Sequence, residues 1–401
     1  MGRHAATRAN QLALIPVAIH RRDSLATSLY GSVANALSVI IRPFVPSRND
    51  ATSEDNPAKR ILVIELWNIG DVILAMPFLA ALRERFPEAS VTLLAKPIAA
   101  DLLSGTGLVD QFIPASLDWS ENGLSTFRRG AVLWRVSRQI RRQRFDFAFS
   151  ARRHLRESLL LSVSGAHRRI GFSFSDREPG LTDAVRIPDA NIPRPAEWLR
   201  LLDVFAPGPP PSASPRLCVT PEEHAWARGY LRSHAVTSSD VVVGFHPGAS
   251  LPEKRWPIDR FHAIATELAN TPNIRVVAFA EPAPSMYGAE LFKIPNVIAA
   301  STSLRQLIAL IAECHLLVCN DSGPMHIAGA LGVPTVAMFG SGIGERFAPL
   351  GSGHRLLQPV DGETGQQSPI RSPVGVSVEQ ARAAVNDALH EIRGERNLSA
   401  Q

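Results

Sequence analysis

The chain has 401 residues, 45% of them hydrophobic and 20% charged, with a formal net charge of +5. That length exceeds one ordinary domain and suits two, and the balance of apolar to charged residues excludes wholesale disorder. Cys218, Cys314 and Cys319 form no CxxC pair and have no histidine at ligand spacing, which argues against a disulfide framework or a zinc site and fits a reducing cytoplasmic setting.

In chain order, residues 1–59 form an N-terminal extension. Leu25, Leu29, Val33, Leu37 and Ile40 recur at helical spacing, with Arg21, Arg22 and Arg42 at the flanks. Two readings fit: an amphipathic helix lying on a membrane surface, or one packed on its own domain. The polar stretch 47–57 reads as a linker. No apolar run reaches the about 18 residues of a membrane span, and the N-terminus lacks the pattern of a signal peptide.

From Arg60 the pattern alternates between strand and helix. RILVIEL (60–66) predicts a buried strand, 72–86 a helix, 91–95 a strand, and FDFAFS (145–150) another strand after a long basic helix. Five prolines in 207–216 mark an interdomain linker. Strands are then expected at 240–245, 274–280, 316–319 and 335–339, helices near 258–270, 303–313 and 322–331, and a last helix near 377–393. The prediction is an α/β chain of two Rossmann-like parallel-sheet domains facing across a cleft. Its divisions are 60–206 and 217–375, with 376–401 as a C-terminal helix and tail.

Ligands of such sheets sit beyond the carboxyl ends of the strands, so the turns there carry the chemistry. In Trp67-Asn68-Ile69-Gly70-Asp71, Gly70 permits a sharp turn. Asp71 is either a helix N-cap or a carboxylate able to take a proton from an attacking hydroxyl. In His246-Pro247-Gly248-Ala249-Ser250, followed by Lys254-Arg255-Trp256, backbone N–H groups, the Ser250 hydroxyl and the Lys254 charge make a candidate diphosphate cradle. The alternative is that Lys254 and Arg255 are solvated surface charges. In Asn320-Asp321-Ser322-Gly323-Pro324-Met325-His326, Asp321 or Ser322 suits a helix cap, and the free N–H groups of Ser322 and Gly323 form an anion site beside His326.

Three segments resemble glycosyltransferase family 9, the heptosyltransferases. They are ILVIELWNIGDVILAMPFLAALRERFP (61–87), GFHPGASLPEKRWP (244–257) and NDSGPMHIAGALGVPTVAMFG (320–340). The resemblance implies a GT-B fold and an inverting, metal-independent sugar transfer. The best-known members use ADP-heptose and build the lipopolysaccharide inner core. It implies that Asp71 is the general base, that Lys254 holds the donor phosphates, that Asp321, Ser322, Gly323 and His326 bind the donor, and that Glu281 contacts the nucleoside ribose. The sequence departs from the family pattern beside the base, where Glu65 and Trp67 or Asn68 replace the usual basic residue and serine.

No DxD motif is present, so cationic side chains are expected to do the work of a metal, and no cofactor is expected. Between Arg128 and Arg169 stand twelve arginines and no lysine. Arginine forks suit carboxylates and phosphates, which points to an anionic, lipid-linked saccharide acceptor, with Gly70, Arg152 and Arg153 on the acceptor side. A solvated basic face, or one touching anionic membrane at the inner side of the cytoplasmic membrane, explains the same residues. Nucleic acid is disfavoured because few aromatics are interleaved. Two other functions compete with transfer: a sugar-nucleotide epimerase of the same fold, and a non-catalytic nucleotide-sugar-binding protein.

Overall fold

The structure is a computed structural model that describes residues 59–116, 126–152, 155–173, 180–186, 192–205, 215–281, 285–340, 344–359 and 372–399. The N-terminal extension, the linker at 47–57, most of the proline-rich linker, and Arg153 with His154 lie outside the described residues.

The first half contains β1 (Arg60–Glu65), α1 (Ile69–Leu74), α2 (Met76–Arg85), β2 (Ser90–Ala95), α3 (Ile98–Leu102), β3 (Gln111–Pro114), α4 (Thr126–Arg142), β4 (Phe147–Ser150), α5 (Leu155–Ser164), β5 (Arg168–Ser173), β6 (Asp183–Arg186) and α6 (Arg194–Leu199). The second contains α7 (Pro221–Ser233), β7 (Val241–His246), α8 (Ile258–Ala269), β8 (Ile274–Phe279), β9 (Val297–Ala300), α9 (Leu304–Ala312), β10 (Leu316–Asn320), α10 (Gly323–Leu331), β11 (Thr335–Met338), β12 (His354–Leu357) and α11 (Val378–Ser399).

Each half builds one six-stranded sheet. The orders are β3-β2-β1-β4-β5-β6 and β12-β11-β10-β7-β8-β9, and every pairing is parallel. The strand order reverses between β1 and β4 in the first sheet and between β7 and β10 in the second. A crevice forms at such a reversal because the connections leave toward opposite faces. The four strands flanking the two reversals lead into Asp71, Arg152, Lys254 and the 321–326 turn.

The alternation of strand side chains divides the core. Ile61 and Val63 of β1 enter one apolar cluster, while Leu62 and Ile64 enter another with Val136 and Ile140 of α4 and Leu160 and Leu161 of α5. The first of these clusters runs on through α1 and α10 into the second half, taking in Phe78, Trp198, Met325 and Phe339. A third cluster lies on the far face of the second sheet, where Val243 and Phe245 meet Phe261 of α8 and Val385 and Leu389 of α11. Burying one such side chain stabilises by about 1.5–3 kcal/mol, so the shared cluster holds the two halves together.

Several sequence expectations are corrected here. The single helix predicted over 72–86 is two, starting at Ile69 and broken at Ala75. Pro77, which has no N–H to give to the preceding turn, explains the restart. The arginine-rich stretch is not one basic surface. Arg169 is buried, donating to the Gly180 and Ala166 carbonyls at 2.7 Å each. Arg168 pairs with Asp183 at 2.7 Å and lies 4.4 Å from the centre of the Phe205 ring. Both are structural. Arg135, Arg138 and Arg142 of α4 are exposed. Among the described residues, no helix is long and apolar enough to cross a membrane.

Candidate active site

α1 is capped by Asn68, whose backbone is extended, and not by Asp71. Asp71 occupies the third helical position, and its Oδ2 accepts the Asn68 N–H at 3.3 Å. This half of a capping box fixes the carboxylate at the helix entrance. Its other oxygen, Oδ1, is paired with the Arg152 guanidinium. Arg152 also lies 3.8 Å from Glu65 and stacks 4.7 Å from the centre of the Trp67 ring. Burial disfavours the Arg152 cation, but Glu65 and Asp71 together outweigh it and leave its pKa raised. In this state the arginine expected on the acceptor side is committed to Asp71.

Gly70 has a different reason from the one its turn suggested. It lies inside α1, where no left-handed backbone is needed. A Cβ there would stand 2.5 Å from Cδ2 and 2.8 Å from Nε2 of His326. The glycine is what lets the second half approach the first. The contact repeats one residue earlier in α1, where Ile69 faces Gly323. The entrances of α1 and α10 therefore meet, bringing the Asp71 turn against the Ser322–His326 turn. Gly70→Ala is expected to push the halves apart and lower turnover on the order of tenfold to a hundredfold, since small displacements of reacting groups are costly. Steady-state turnover beside a melting curve checks this. Wild-type turnover in the folded variant would mean that the contact is dispensable.

In the second half, Ser322 occupies the N-cap of α10, but its hydroxyl makes no capping bond and is buried without a hydrogen-bond partner. Pro324 follows in the first turn and has no N–H to offer. The N–H groups of Ser322 and Gly323 sit at the positive end of the helix dipole. His326 is buried, its Nδ1 likewise unpartnered. Burial takes its pKa down to about 4, against the pull of Asp321 and Asp71, so the ring is neutral near pH 7.

Lys254 and Arg255 are not free surface charges. Lys254 Nζ donates to Asp321 Oδ2 at 2.6 Å. Arg255 reaches both oxygens of Glu281, at 3.1 and 3.2 Å, and lies 4.1 Å from the centre of the Tyr287 ring. Gly248 makes room for Glu281, whose Cγ and Oε1 would each be 2.7 Å from a Cβ at that position. Ser250 is exposed at the end of the same loop.

Asn320, quoted in the motif but given no role from sequence, ties these loops together. Its Nδ2 donates to the Pro247 carbonyl at 2.6 Å, and its Oδ1 accepts the Trp256 N–H at 3.0 Å. Trp256 is fully buried, with its indole N–H on the Val376 carbonyl at 2.8 Å. Sequence reasoning also missed Arg194 and Glu197, which form a buried ion pair at 2.9 Å next to Glu65. Glu65 itself carried a signal, since it is an acid that closes the apolar run Ile61–Ile64 of β1. Among the described residues, no group of three or more His, Cys, Asp or Glu is placed to hold a metal ion.

The family model for glycosyltransferase family 9 (heptosyltransferase) matches residues 133–362. The chain belongs to glycosyltransferase family 9. Family 9 relatives include lipopolysaccharide heptosyltransferase 2 of Escherichia coli (strain K12), 27% identical over 325 residues and matching 76% of this chain and 89% of that protein. Among solved structures, a family 9 glycosyltransferase from Veillonella parvula superposes with a TM-score of 0.69 at 24% identity, covering 83% of this chain and 97% of that one. The structure of Escherichia coli ADP-heptose lps heptosyltransferase II gives 0.66 at 23% identity, covering 83% and 99%. The fold is GT-B, and the chain is a family 9 glycosyltransferase enzyme.

Proposed function

We propose that this enzyme is an inverting, metal-independent transferase that moves heptose from ADP-heptose onto an anionic, lipid-linked saccharide of the lipopolysaccharide core. The observation that carries the reading is the meeting of two unlike turns. A carboxylate, Asp71, stands at the entrance of α1. Against it lies an anion-accepting turn with Lys254, the Ser322 and Gly323 N–H groups and a neutral His326. The donor sugar and the acceptor come from the names of the relatives.

In this reading the acceptor hydroxyl gives its proton to Asp71 as its oxygen attacks the anomeric carbon. The bond from that carbon to the diphosphate oxygen breaks on the opposite face, which inverts the centre. Negative charge builds on the departing nucleoside diphosphate. Lys254, Ser250 and the N–H groups of Ser322 and Gly323 stabilise it, with the His326 ring as a neutral donor. A diphosphate arriving there takes over Lys254 from Asp321. Glu281, held by Arg255, is left to the ribose. Gly70 and Arg152 border the acceptor; Arg153, expected there from the sequence, lies outside the described residues.

The membrane side of the reading rests on α4. Its outer face carries a groove of about 510 Å³ lined by Trp134, Arg135, Arg138, Gln139, Arg142 and Gln143. Trp134 is 63% exposed, with the Arg138 guanidinium 5.3 Å from its ring centre. An exposed indole among arginines suits an anionic lipid interface.

The test is calorimetry with ADP-heptose, ADP, UDP-glucose, UDP-N-acetylglucosamine and GDP-mannose in EDTA. Turnover follows on a Kdo-bearing lipid A acceptor in anionic vesicles or in neutral detergent. Selective ADP-heptose binding, turnover in EDTA and faster transfer from the vesicles are expected. Selective binding of another nucleotide sugar overturns the donor, a requirement for added metal overturns metal independence, and equal rates from vesicle and detergent remove the membrane contact.

A further inference from the structure

Glu65 is fully buried at the end of β1. A buried carboxylate is costly unless its partners compensate, so the partners show what it is kept for. Its Oε1 accepts the Trp67 N–H at 3.2 Å. Its Oε2 lies 3.8 Å from Arg152 and 3.7 Å from Arg194 and accepts no hydrogen bond. Arg152, resting on the ring of that same Trp67, gives its hydrogen bond to Asp71 instead. Arg194 turns to Glu197 at 2.9 Å, and Glu197 binds Arg346 from the second half at 2.7 Å. The Arg194 N–H also donates to the Arg346 carbonyl at 2.8 Å. Two carboxylates thus compete for one guanidinium beside the attacking hydroxyl's expected place.

We propose that Glu65 is a positioning residue for the transfer: by sharing Arg152 with Asp71, it sets how firmly that arginine holds the Asp71 carboxylate. The inference rests on the reading of Asp71 as base. When Glu65 is neutral, Asp71 is the carboxylate that Arg152 grips, with Glu197 acting from further off, and an ion-paired carboxylate is a poor proton acceptor. When Glu65 is charged, Arg152 is shared between the two carboxylates and its hold on Asp71 is looser.

The exchange falls in the working range of pH. Burial pushes the Glu65 carboxyl up to about 7; Arg152 opposes this, Asp71 adds to it and Arg194 opposes it. Among the described residues, these three are the charged groups facing it, from the segment after β4, from α1 and from α6, with Glu197 and Arg346 one step further out.

The experiment is the pH profile of kcat for the full chain, with ADP-heptose and the Kdo-bearing lipid A acceptor. The wild type is expected to rise through a step near neutral pH. Glu65→Gln is expected to lose that step and run about tenfold slower at the alkaline end, less than the ~10²–10⁴-fold of a lost base because Asp71 itself remains, with the donor KM unchanged. Glu65→Asp, with its carboxylate drawn back from Arg152, is expected to keep the step and shift it to higher pH.

A second readout needs no substrate. A carboxyl whose pKa is raised in the folded state stabilises at pH below its unfolded value, and that contribution is lost as pH climbs through the folded one. The Tm of Glu65→Gln is therefore expected to gain on the wild type as pH rises from about 4.5 to about 7 and to level off above it. A wild-type profile without the step, a Glu65→Gln profile that superposes on it, or a Tm difference that is flat with pH overturns the assignment. If Glu65→Gln does not fold, an unshifted step in Glu65→Asp does the same. Turnover retained in Asp71→Asn instead removes the base reading itself.

Discussion

Asp71→Asn is expected to lower kcat by about 10²–10⁴-fold, the usual contribution of a positioned base, while leaving donor affinity within about twofold. The geometry explains why the two effects separate. Asparagine keeps the shape of the side chain and an oxygen able to accept the Asn68 N–H, so the entrance of α1 is preserved. The Arg152 guanidinium loses Asp71 but keeps Glu65 within 3.8 Å, so a partly buried cation is not abandoned. The groups proposed to hold the donor sit in the second half and are untouched. Turnover and ADP calorimetry on the same preparation check this. Turnover close to wild type would remove Asp71 from the proton transfer.

Lys254→Met is expected to cost about 10²–10³-fold in kcat, comparable to removing one preorganised charge-stabilising donor. Folding is affected as well. Asp321 is buried, its side chain 9% exposed, and Lys254 is its cation at 2.6 Å. Removing the lysine leaves a desolvated carboxylate. The cost is expected to be on the order of 1–3 kcal/mol, below the ~3–5 of a fully enclosed pair, because Lys254 remains 31% exposed. The double variant Lys254→Met/Asp321→Asn separates the two effects. It is expected to regain most of the lost Tm and none of the turnover. Recovery of both would mean that Lys254 serves only to neutralise Asp321.

Much of this was legible along the chain because parallel strands are buried on both faces and read as short β-branched runs. RILVIEL, DVVVGF and IRVVAFA appear as strands within a residue or two of β1, β7 and β8. The glycine- and serine-rich turns after such strands mark where N–H groups are left free. The weaker strands escaped for the same physical reason. QFIP, DAVR and HRLL, which became β3, β6 and β12, are four-residue segments with exposed or half-buried positions, and they lie at the sheet edges.

The sequence by itself determined two α/β halves, the turns that follow their strands and the family membership those turns betray. Hydrophobic period and turn residues are local properties, readable from neighbours in the chain. Tertiary structure alone decided what each side chain touches. Gly70 is needed because His326, 256 positions later, packs against it. Lys254 is held by Asp321, Arg255 by Glu281 and Arg152 by Asp71. Arg169, indistinguishable in the sequence from the exposed arginines of α4, is buried and donates to the Gly180 and Ala166 carbonyls. Charges find partners through the fold because an unpaired one beneath the surface is too costly to keep, and which partner is in reach depends on strand order, which no local pattern encodes.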